Sequence, residues 1–294
     1  MGLFYTALER AENAKPREAG TAAEGPVPVT DWKDAQQRDV AGFPLAATEI
    51  LEPEPAAAAH PSVGLDGSVL ALAPTDGGIA KEQFRILRTR IVEALGAQRR
   101  RSLLITSAGP GEGKTMVAAN LALQLSSLRE ARVLLIDADL RRAGLSAGLN
   151  PAPKAGLGNY LKGEVELEGL LRDVDPWLTV LPTLTLHEEA AELLASQRMV
   201  ELLELARARF DLVLLDGAPV GPVADSRVLA RLTGASLLVV RAGITPIAEV
   251  ELAAAVLHPC LLGSVLNGAA LRSKGRYGYG YGYGPNGAGA GTAA

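Results

Sequence analysis

The stretch 107–115 reads Ser-Ala-Gly-Pro-Gly-Glu-Gly-Lys-Thr and follows the aliphatic residues 103–106 without a break. Its three glycines let backbone N–H groups turn inward around an anion, and a helix beginning at the lysine adds its positive N-terminus. Lys114 then reaches the β and γ phosphates of a nucleotide, and the Thr115 hydroxyl coordinates Mg²⁺. The sequence therefore predicts a P-loop, whose ATP-binding residues are Ala108, Gly109, Pro110, Gly111, Glu112, Gly113, Lys114 and Thr115.

Three aspartates stand at the ends of two other aliphatic segments. The segment 133–136 leads into Asp137 and Asp139, and the segment 212–215 leads into Asp216. In an open parallel sheet the carboxyl ends of the strands lie together, so these carboxylates are expected beside the phosphates, where Mg²⁺ needs oxygen ligands. The alternative is that each aspartate only caps the next helix. Three carboxylates beside one P-loop favour a metal site.

Four of the six tyrosines lie within seven residues near the C-terminus, each followed by a glycine. They are Tyr277, Tyr279, Tyr281 and Tyr283. Alternating glycines make a strand costly to order and provide no side chain to pack, so these rings are predicted to be exposed. The cluster is then either inert low-complexity sequence or a row of hydroxyls available to accept a phosphoryl group.

Apolar periodicity predicts the elements that position these residues. A helix over 80–95 has one apolar face, formed by Ala80, Phe84, Leu87, Ile91 and Leu95. Short aliphatic strands are predicted at 102–106, 133–136, 178–181, 212–215, 236–240 and 262–266, with helices at about 114–128, 188–208, 223–232 and 246–258. Such alternation is typical of α/β proteins with a parallel sheet covered by helices on both faces. Together with the P-loop, it predicts a P-loop NTPase-type fold.

The length, composition and net charge of the chain restrict the classes of protein to which it can belong. Its 294 residues are 48% hydrophobic, which predicts one sizeable domain with tails, and its net charge of −4 argues against nucleic acid as a partner. The single cysteine, Cys260, excludes an internal disulfide and fits a reducing cytoplasm. No apolar run approaches the ~20 residues that span a bilayer. We expect a soluble, cytoplasmic protein.

Composition divides the chain into three parts. Residues 1–78 are rich in Ala, Pro, Glu and Gly, and they are predicted to be a disordered arm with an adaptor-docking helix near residues 3–8. Residues 79–268 carry the periodic segments and the P-loop, and they form the predicted nucleotide-binding domain. Residues 269–294 lose this periodicity and form the Gly/Tyr-rich tail.

These motifs resemble those of the bacterial tyrosine kinases, P-loop enzymes of capsule and exopolysaccharide synthesis. The resemblance covers residues 78–284 and includes the P-loop ending Gly-Glu-Gly-Lys-Thr, Leu-Leu-Ile-Asp-Ala-Asp-Leu-Arg-Arg at 134–142, Phe-Asp-Leu-Val-Leu-Leu-Asp at 210–216, Glu-x-x-Arg-x-x-Arg at 82–88, and the tyrosine cluster. It implies catalytic roles for Lys114, Asp137 and Asp139, and Mg²⁺ binding by Thr115, Asp137 and Asp216. It further implies ring formation through Glu82, Arg85 and Arg88, and contact of Asn267 with the nucleotide base.

By this resemblance the chain is an ATP- and Mg²⁺-dependent protein-tyrosine autokinase that regulates polysaccharide synthesis. The implied phosphoacceptors are Tyr277, Tyr279, Tyr281 and Tyr283. The implied partners are a membrane adaptor or polysaccharide co-polymerase, further copies of the chain in a ring, and a cognate tyrosine phosphatase. The implied location is the cytoplasm, with attachment to the membrane through the adaptor.

Two alternatives stay open at the level of sequence. Partitioning and positioning P-loop ATPases share the fold and the carboxylates, but they have a lysine at the second P-loop position, where this chain has Gly109, and they lack a polytyrosine tail. The other alternative is a degenerate nucleotide-binding regulator of assembly. It is raised by Gly217-Ala218-Pro219, which stands where the kinases usually have Thr-Pro-Pro.

Overall fold

The structure is a computed structural model that describes residues 60–67, 78–98, 100–184, 187–221 and 224–269. Its elements in chain order are β1 (Gly64–Leu65), α1 (Ile79–Ala97), β2 (Ser102–Ser107), α2 (Lys114–Ser126), β3 (Val133–Ala138), β4 (Leu149–Asn150), α3 (Leu157–Leu161), β5 (Arg172–Asp175), β6 (Leu178–Leu181), α4 (Ala190–Leu194), α5 (Gln197–Arg209), β7 (Leu212–Gly217), α6 (Asp225–Thr233), β8 (Ser236–Arg241), α7 (Ile247–Leu257) and β9 (Leu261–Asn267). All six predicted strands are present. Within these ranges, no helix is both long enough and apolar enough to cross a membrane.

The main sheet in the described part of the chain has the strand order β5-β6-β3-β7-β2-β8-β9. Neighbouring strands are parallel except β5 and β6, which are antiparallel. The predicted P-loop NTPase-type fold is therefore confirmed, with one antiparallel edge strand added. Because β3, β7 and β2 are adjacent, the residues that follow them meet at one edge of the sheet.

Helices cover both faces of this sheet. Helices α1 and α2 pack on one face, and α3, α4, α5 and α6 pack on the other together with the buried residues of α7. Along β2, Leu103 and Ile105 face the first layer and Leu104 faces the second, as alternating side chains of a strand must. All three are fully buried, and each such side chain contributes about 1.5–3 kcal/mol by leaving water.

Helix α1 buries the apolar face that its sequence predicts. Leu87, Ile91 and Leu95 are buried in the apolar cluster on the α2 side of the sheet, and Phe84 is partly buried beside them. The helix begins after Gly78, whose φ of 82° is left-handed. The helix has 19 residues and packs along α2 through its apolar face, so its polar face is left to solvent.

The helix predicted at 188–208 is two helices, α4 and α5, which is a correction. Ser196 separates them with an extended backbone, and its hydroxyl accepts a hydrogen bond from the Met199 N–H at 3.4 Å. This bond caps α5 at its start. Periodicity does not reveal the break, because Leu194 before it and Met199 after it are buried in the same layer.

Residues 60–67, which the sequence assigns to the disordered arm, pack against the domain. Strand β1 pairs antiparallel with β4, and the Val63 N–H donates to the Asp173 carbonyl at 2.9 Å. The Val63 side chain is buried, and the His60 ring lies 3.0 Å from the Asp173 carboxylate. The arm is thus attached near the antiparallel edge of the sheet. Residues 1–59 and 68–77 of the predicted arm, and the tail from residue 270 onward, lie outside the described residues.

Candidate active site

The P-loop connects β2 to α2, as the sequence predicts. Gly111 and Gly113 have φ angles of 78° and 94°, a left-handed conformation that residues with a side chain rarely adopt. A Cβ atom at Gly113 would overlap the Asn267 amide, so there is no room for a side chain there. Helix α2 begins at Lys114, and its positive N-terminus faces the loop, as an anion site requires.

The Lys114 side chain reaches the aspartates that follow the neighbouring strands. Its Nζ lies 2.8 Å from Asp139 Oδ2 and 3.8 Å from Asp216 Oδ1, and 11% of the side chain is exposed. Burial disfavours the charged form of Lys114, but the carboxylates of Asp216, Asp139 and Asp137 outweigh it and raise the pKa of the lysine. Lys114 is therefore a fixed positive charge beside the loop.

The Asp137 carboxylate is held by Ser146. Its Oδ2 accepts hydrogen bonds from the Ser146 N–H at 2.8 Å and from the Ser146 hydroxyl at 2.6 Å, and its Oδ1 accepts one from the Asp139 N–H at 3.3 Å. Complete burial, followed by repulsion from Asp216, raises the pKa of Asp137 to about 7, although the bonds from Ser146 oppose the rise. In the metal-free protein this carboxyl is therefore partly protonated near neutral pH.

Asp216 pairs in register with Asp137 across the parallel strands β3 and β7. Burial raises the pKa of Asp216, while Lys114 and the Thr115 hydroxyl oppose the rise. Among the described residues, neither carboxylate oxygen of Asp216 has a partner at hydrogen-bond distance, since Lys114 lies at ion-pair distance. Both oxygens of this buried carboxylate are therefore available to a cation in addition to Lys114.

The predicted metal ligands Thr115, Asp137 and Asp216 lie on adjacent elements and offer hard oxygen atoms. The described residues contain no group of three or more His, Cys, Asp or Glu side chains arranged to hold a metal by themselves. Mg²⁺ in nucleotide sites is usually held by one or two carboxylates together with phosphates and waters. The donor set present, with the unpaired oxygens of Asp216, fits Mg²⁺ bound in that way.

The raised pKa of Asp137 predicts how the stability of the nucleotide-free protein depends on pH. The pKa changes from 3.8 in the unfolded chain to about 7 in the fold, so the folded state keeps a proton that the unfolded state releases. Asp137 therefore destabilises the fold least below about pH 4. As the pH rises toward 7, its ionisation lowers the free energy of unfolding. We expect Asp137→Asn to remove this loss and to raise the Tm at pH 8 by several degrees, since one pKa unit corresponds to about 1.4 kcal/mol.

Thermal unfolding followed by circular dichroism at pH 5 and pH 8 measures this effect. The matched control is Asp211→Asn, because the Asp211 side chain is 43% exposed and asparagine keeps an oxygen that can accept the 2.8 Å hydrogen bond from the Arg132 N–H. The free energy of unfolding should therefore change by less than about 0.5 kcal/mol. An Asp137→Asn variant with a lower Tm than the wild type at pH 8 would contradict the raised pKa of Asp137.

The Gly217-Ala218 departure lies in a tightly packed turn. A Cβ atom at Gly217 would lie 2.6 Å from Leu104 Cδ1 and 3.3 Å from Ser226 Oγ, and Leu104 is fully buried. The Ala218 carbonyl accepts hydrogen bonds from the Thr106 hydroxyl at 2.6 Å and from the Ser226 hydroxyl. The surrounding core is thus fitted to glycine at this position.

A partly buried ion pair beside the site was not predicted from the sequence. Arg141 donates two hydrogen bonds to Asp225, from Nε to Oδ2 at 2.7 Å and from Nη2 to Oδ1 at 3.2 Å. Asp225 is fully buried at the start of α6, and 35% of the Arg141 side chain is exposed. The pair joins the chain after Asp139 to α6. The Leu-Arg-Arg sequence was the signal for the arginine, but nothing local marks its partner.

The three residues predicted for oligomerisation all lie on α1 but have different environments. Arg85 Nη1 lies 3.1 Å from Glu82 Oε2, and 51% and 59% of these two side chains are exposed. Arg88 is partly buried and donates to the Gln124 carbonyl of α2 at 3.1 Å. Glu82 and Arg85 are therefore accessible at the surface, whereas Arg88 attaches α1 to α2.

Asn267 ends β9 beside the P-loop. Its Nδ2 donates to the Glu112 carbonyl at 2.8 Å, so the amide contacts the loop backbone directly. The chain leaves the sheet at this point, next to the predicted phosphate site. The four predicted acceptor tyrosines lie outside the described residues.

This geometry defines a nucleotide-binding protein of the P-loop class. A phosphate-binding loop, a buried lysine and three strand-end carboxylates come together at one sheet edge. Residues 103–241 match the family described as the CobQ/CobB/MinD/ParA nucleotide binding domain. The matched range contains all of these groups.

Comparison with known proteins narrows the class further. The chain is 36% identical to tyrosine-protein kinase YwqD of Bacillus subtilis (strain 168) over 201 residues, which are 67% of this chain and 84% of that protein. It is 36% identical to the succinoglycan biosynthesis transport protein ExoP of Rhizobium meliloti (strain 1021) over 203 residues, but spans just 26% of ExoP. The solved kinase domain of Escherichia coli tyrosine kinase ETK matches with a TM-score of 0.61 and 35% identity, over 70% of this chain and 83% of that one.

The chain therefore belongs to the bacterial protein-tyrosine kinase family, as its motifs predict. The predicted enzyme class, protein-tyrosine kinase, is confirmed by these relatives. Family membership favours the kinase over the partitioning and positioning ATPases, in agreement with Gly109 in place of their lysine.

Proposed function

We propose that this protein is an ATP- and Mg²⁺-dependent tyrosine autokinase that phosphorylates its own C-terminal tyrosines. The observation that carries the proposal is the position of Lys114, whose Nζ lies 2.8 Å from Asp139 and 3.8 Å from Asp216 at the mouth of the P-loop. Phosphoryl transfer requires positioning and charge neutralisation more than covalent chemistry by the protein. A fixed lysine, carboxylates for a metal and a proton acceptor meet these requirements.

Each residue of the site has a task in the proposed reaction. The P-loop amides and the start of α2 bind the phosphates of ATP, and Lys114 stabilises the negative charge that develops during transfer. Thr115, Asp137 and Asp216 would hold Mg²⁺, which neutralises phosphate charge when bound. Asp137 would accept the proton of the tyrosine hydroxyl, because it is a buried carboxylate that lies in register with Asp216 at the same edge of the sheet.

The position of the tail in the chain suits the acceptor role. Asn267 ends β9 beside the P-loop, and Tyr277 follows ten residues later. Ten extended residues reach ~33 Å, which is enough to bring a hydroxyl to the site of a neighbouring copy. Each added phosphate carries about −1.5 to −2 charges, so several modified tyrosines repel one another and favour release of the tail.

Assembly into a ring is the next part of the proposal. Glu82 and Arg85 lie exposed on the polar face of α1, where a second copy can contact them. A ring brings the tail of one copy close to the P-loop of the next. Phosphates on the tail would then loosen the assembly through repulsion.

The biological setting that we propose is the synthesis of an exopolysaccharide or capsule. ExoP, which shares a kinase-like segment with this chain, is named for succinoglycan biosynthesis and transport. The proposed partners are a membrane adaptor or polysaccharide co-polymerase, which docks with the N-terminal arm, and a tyrosine phosphatase that reverses the modification. The protein would then act at the cytoplasmic side of the membrane through this adaptor.

Labelling of the purified full-length protein tests the proposal. Incubation with Mg²⁺ and ATP labelled at the γ phosphate should transfer label to the protein in an alkali-stable form, identified as phosphotyrosine by phosphoamino-acid analysis. Added adaptor should increase the rate. Release of ADP without phosphotyrosine, even with the adaptor present, would instead support a P-loop ATPase, and binding of ATP with neither product would support the nucleotide-binding regulator.

A further inference from the structure

The Glu112 side chain turns back onto its own loop. Its Oε2 accepts a hydrogen bond from the Ala108 N–H at 2.9 Å, and its Oε1 accepts one from the Thr245 hydroxyl at 2.5 Å. Glu112 is 5% exposed. This carboxylate therefore connects the first residue of the P-loop to the middle of the loop and to a residue outside the motif.

Arg241 completes the connection from the end of β8. Its backbone N–H donates to Thr245 Oγ1 at 3.0 Å, and its Nη1 donates to the Gly111 carbonyl at 3.1 Å. Strand β8 lies directly beside β2, which leads into the P-loop. We call the side chains of Glu112, Thr245 and Arg241, with the four hydrogen bonds described, the brace.

We propose that Thr245 and Arg241 are positioning residues that hold the P-loop in the shape that binds phosphate, Thr245 through Glu112 and Arg241 through the Gly111 carbonyl. The inference rests on the proposed function only in that the P-loop binds nucleotide. A glycine-rich loop has many conformations, and fixing each residue costs about 1–2 kcal/mol. Because the brace fixes the loop before the nucleotide arrives, that cost does not reduce the affinity.

The brace also controls where the charge of Glu112 lies. With Thr245 present, both carboxylate oxygens have donors, so Glu112 occupies just one amide of the loop, the Ala108 N–H. Loss of the hydroxyl leaves a buried carboxylate oxygen without a partner, which is strongly unfavourable. The carboxylate then competes with phosphate for the amides of the same loop.

The test compares Thr245→Val with Thr245→Ser in the full-length protein. Valine keeps the shape of the side chain but removes the hydroxyl, so we expect the Kd for fluorescent N-methylanthraniloyl-ADP with Mg²⁺ to rise about tenfold. Serine keeps the donor and should bind within about twofold of the wild type. The KM for ATP should rise with little change in kcat, because the lost interaction acts equally on the bound ground state and transition state.

Two further variants separate the brace from a general effect on folding. Thr89→Val removes a hydroxyl that donates to the Arg85 carbonyl on exposed α1, and it should leave the Kd unchanged. Arg241→Met removes the bond to Gly111 and should weaken ADP binding severalfold, with the Tm of the nucleotide-free protein preserved.

Thr245→Val binding within about twofold of the wild type would overturn the proposal, as would Thr245→Ser binding as weakly as Thr245→Val. The proposed autokinase function can fail separately. Wild-type protein that binds ADP but forms no phosphotyrosine would contradict the autokinase, and the Thr245 comparison would still decide the brace.

Discussion

Replacement of Lys114 by methionine is expected to lower the rate of tail phosphorylation about 100-fold or more, the size of effect seen when a preorganised electrostatic contact is removed from an active site. Lys114 is a positive charge at the start of α2, 2.8 Å from Asp139 and 3.8 Å from Asp216. Methionine has similar length but no charge, so the carboxylates then repel the phosphates. The measurement is the initial rate of phosphotyrosine formation at saturating Mg-ATP.

The matched control for this variant is Lys162→Met. Lys162 lies 3.7 Å from Glu189 at the surface, where loss of an ion pair costs at most about 1 kcal/mol, and the rate should be unchanged. Since Lys114→Met leaves buried carboxylates without their cation, its folding must be checked by circular dichroism, and Lys114→Arg provides a charged second variant. A folded Lys114→Met protein with a rate within about tenfold of the wild type would contradict the assignment.

Replacement of all four tail tyrosines by phenylalanine is expected to abolish phosphotyrosine while hydrolysis of ATP continues. The substitutions at Tyr277, Tyr279, Tyr281 and Tyr283 remove the proposed acceptor hydroxyls. They leave Lys114, Asp137 and Asp216 in place, so water can still accept the phosphoryl group. Release of ADP and formation of phosphotyrosine are measured on the same sample.

Tyr160→Phe is the matched control for the tail variant. Tyr160 is 6% exposed, with the Arg198 guanidinium carbon 4.9 Å from its ring centroid, and it lacks access to the site of another copy. This variant should be labelled like the wild type. Label at the wild-type level on the protein without tail tyrosines would place the acceptor elsewhere in the chain.

Strands buried in the middle of the sheet could be predicted from the sequence, whereas short or edge strands could not. The strands β2, β3 and β7 lie between two layers of helices, so they are continuous aliphatic runs that the sequence shows plainly. Strand β5 reads Arg-Asp-Val-Asp at the edge of the sheet, and β1 and β4 have two residues each, so neither alternation nor apolar content marks them. The break at Ser196 was missed because a cap is a local hydrogen bond within one apolar face.

In the candidate site, too, some features could be predicted from the sequence and others could not. The P-loop and the aspartates were predictable because each is a local motif at the end of a buried strand, and the strand order brings them together. Arg141 and Asp225 are 84 residues apart, and Glu112 and Thr245 are 133 residues apart. Such pairs depend on how distant loops meet at the sheet edge, which residue spacing does not encode.

The central claim is that the site phosphorylates the tail of this chain, and peptide mapping tests it most directly. Trypsin cleaves after Arg276 and releases residues 277–294, a single peptide that contains all four candidate tyrosines. After incubation of the full-length protein with Mg-ATP and the proposed adaptor, tandem mass spectrometry should find phosphate on tyrosines of this peptide, and none in Lys114→Met. An unmodified 277–294 peptide from the wild type under these conditions would contradict the account.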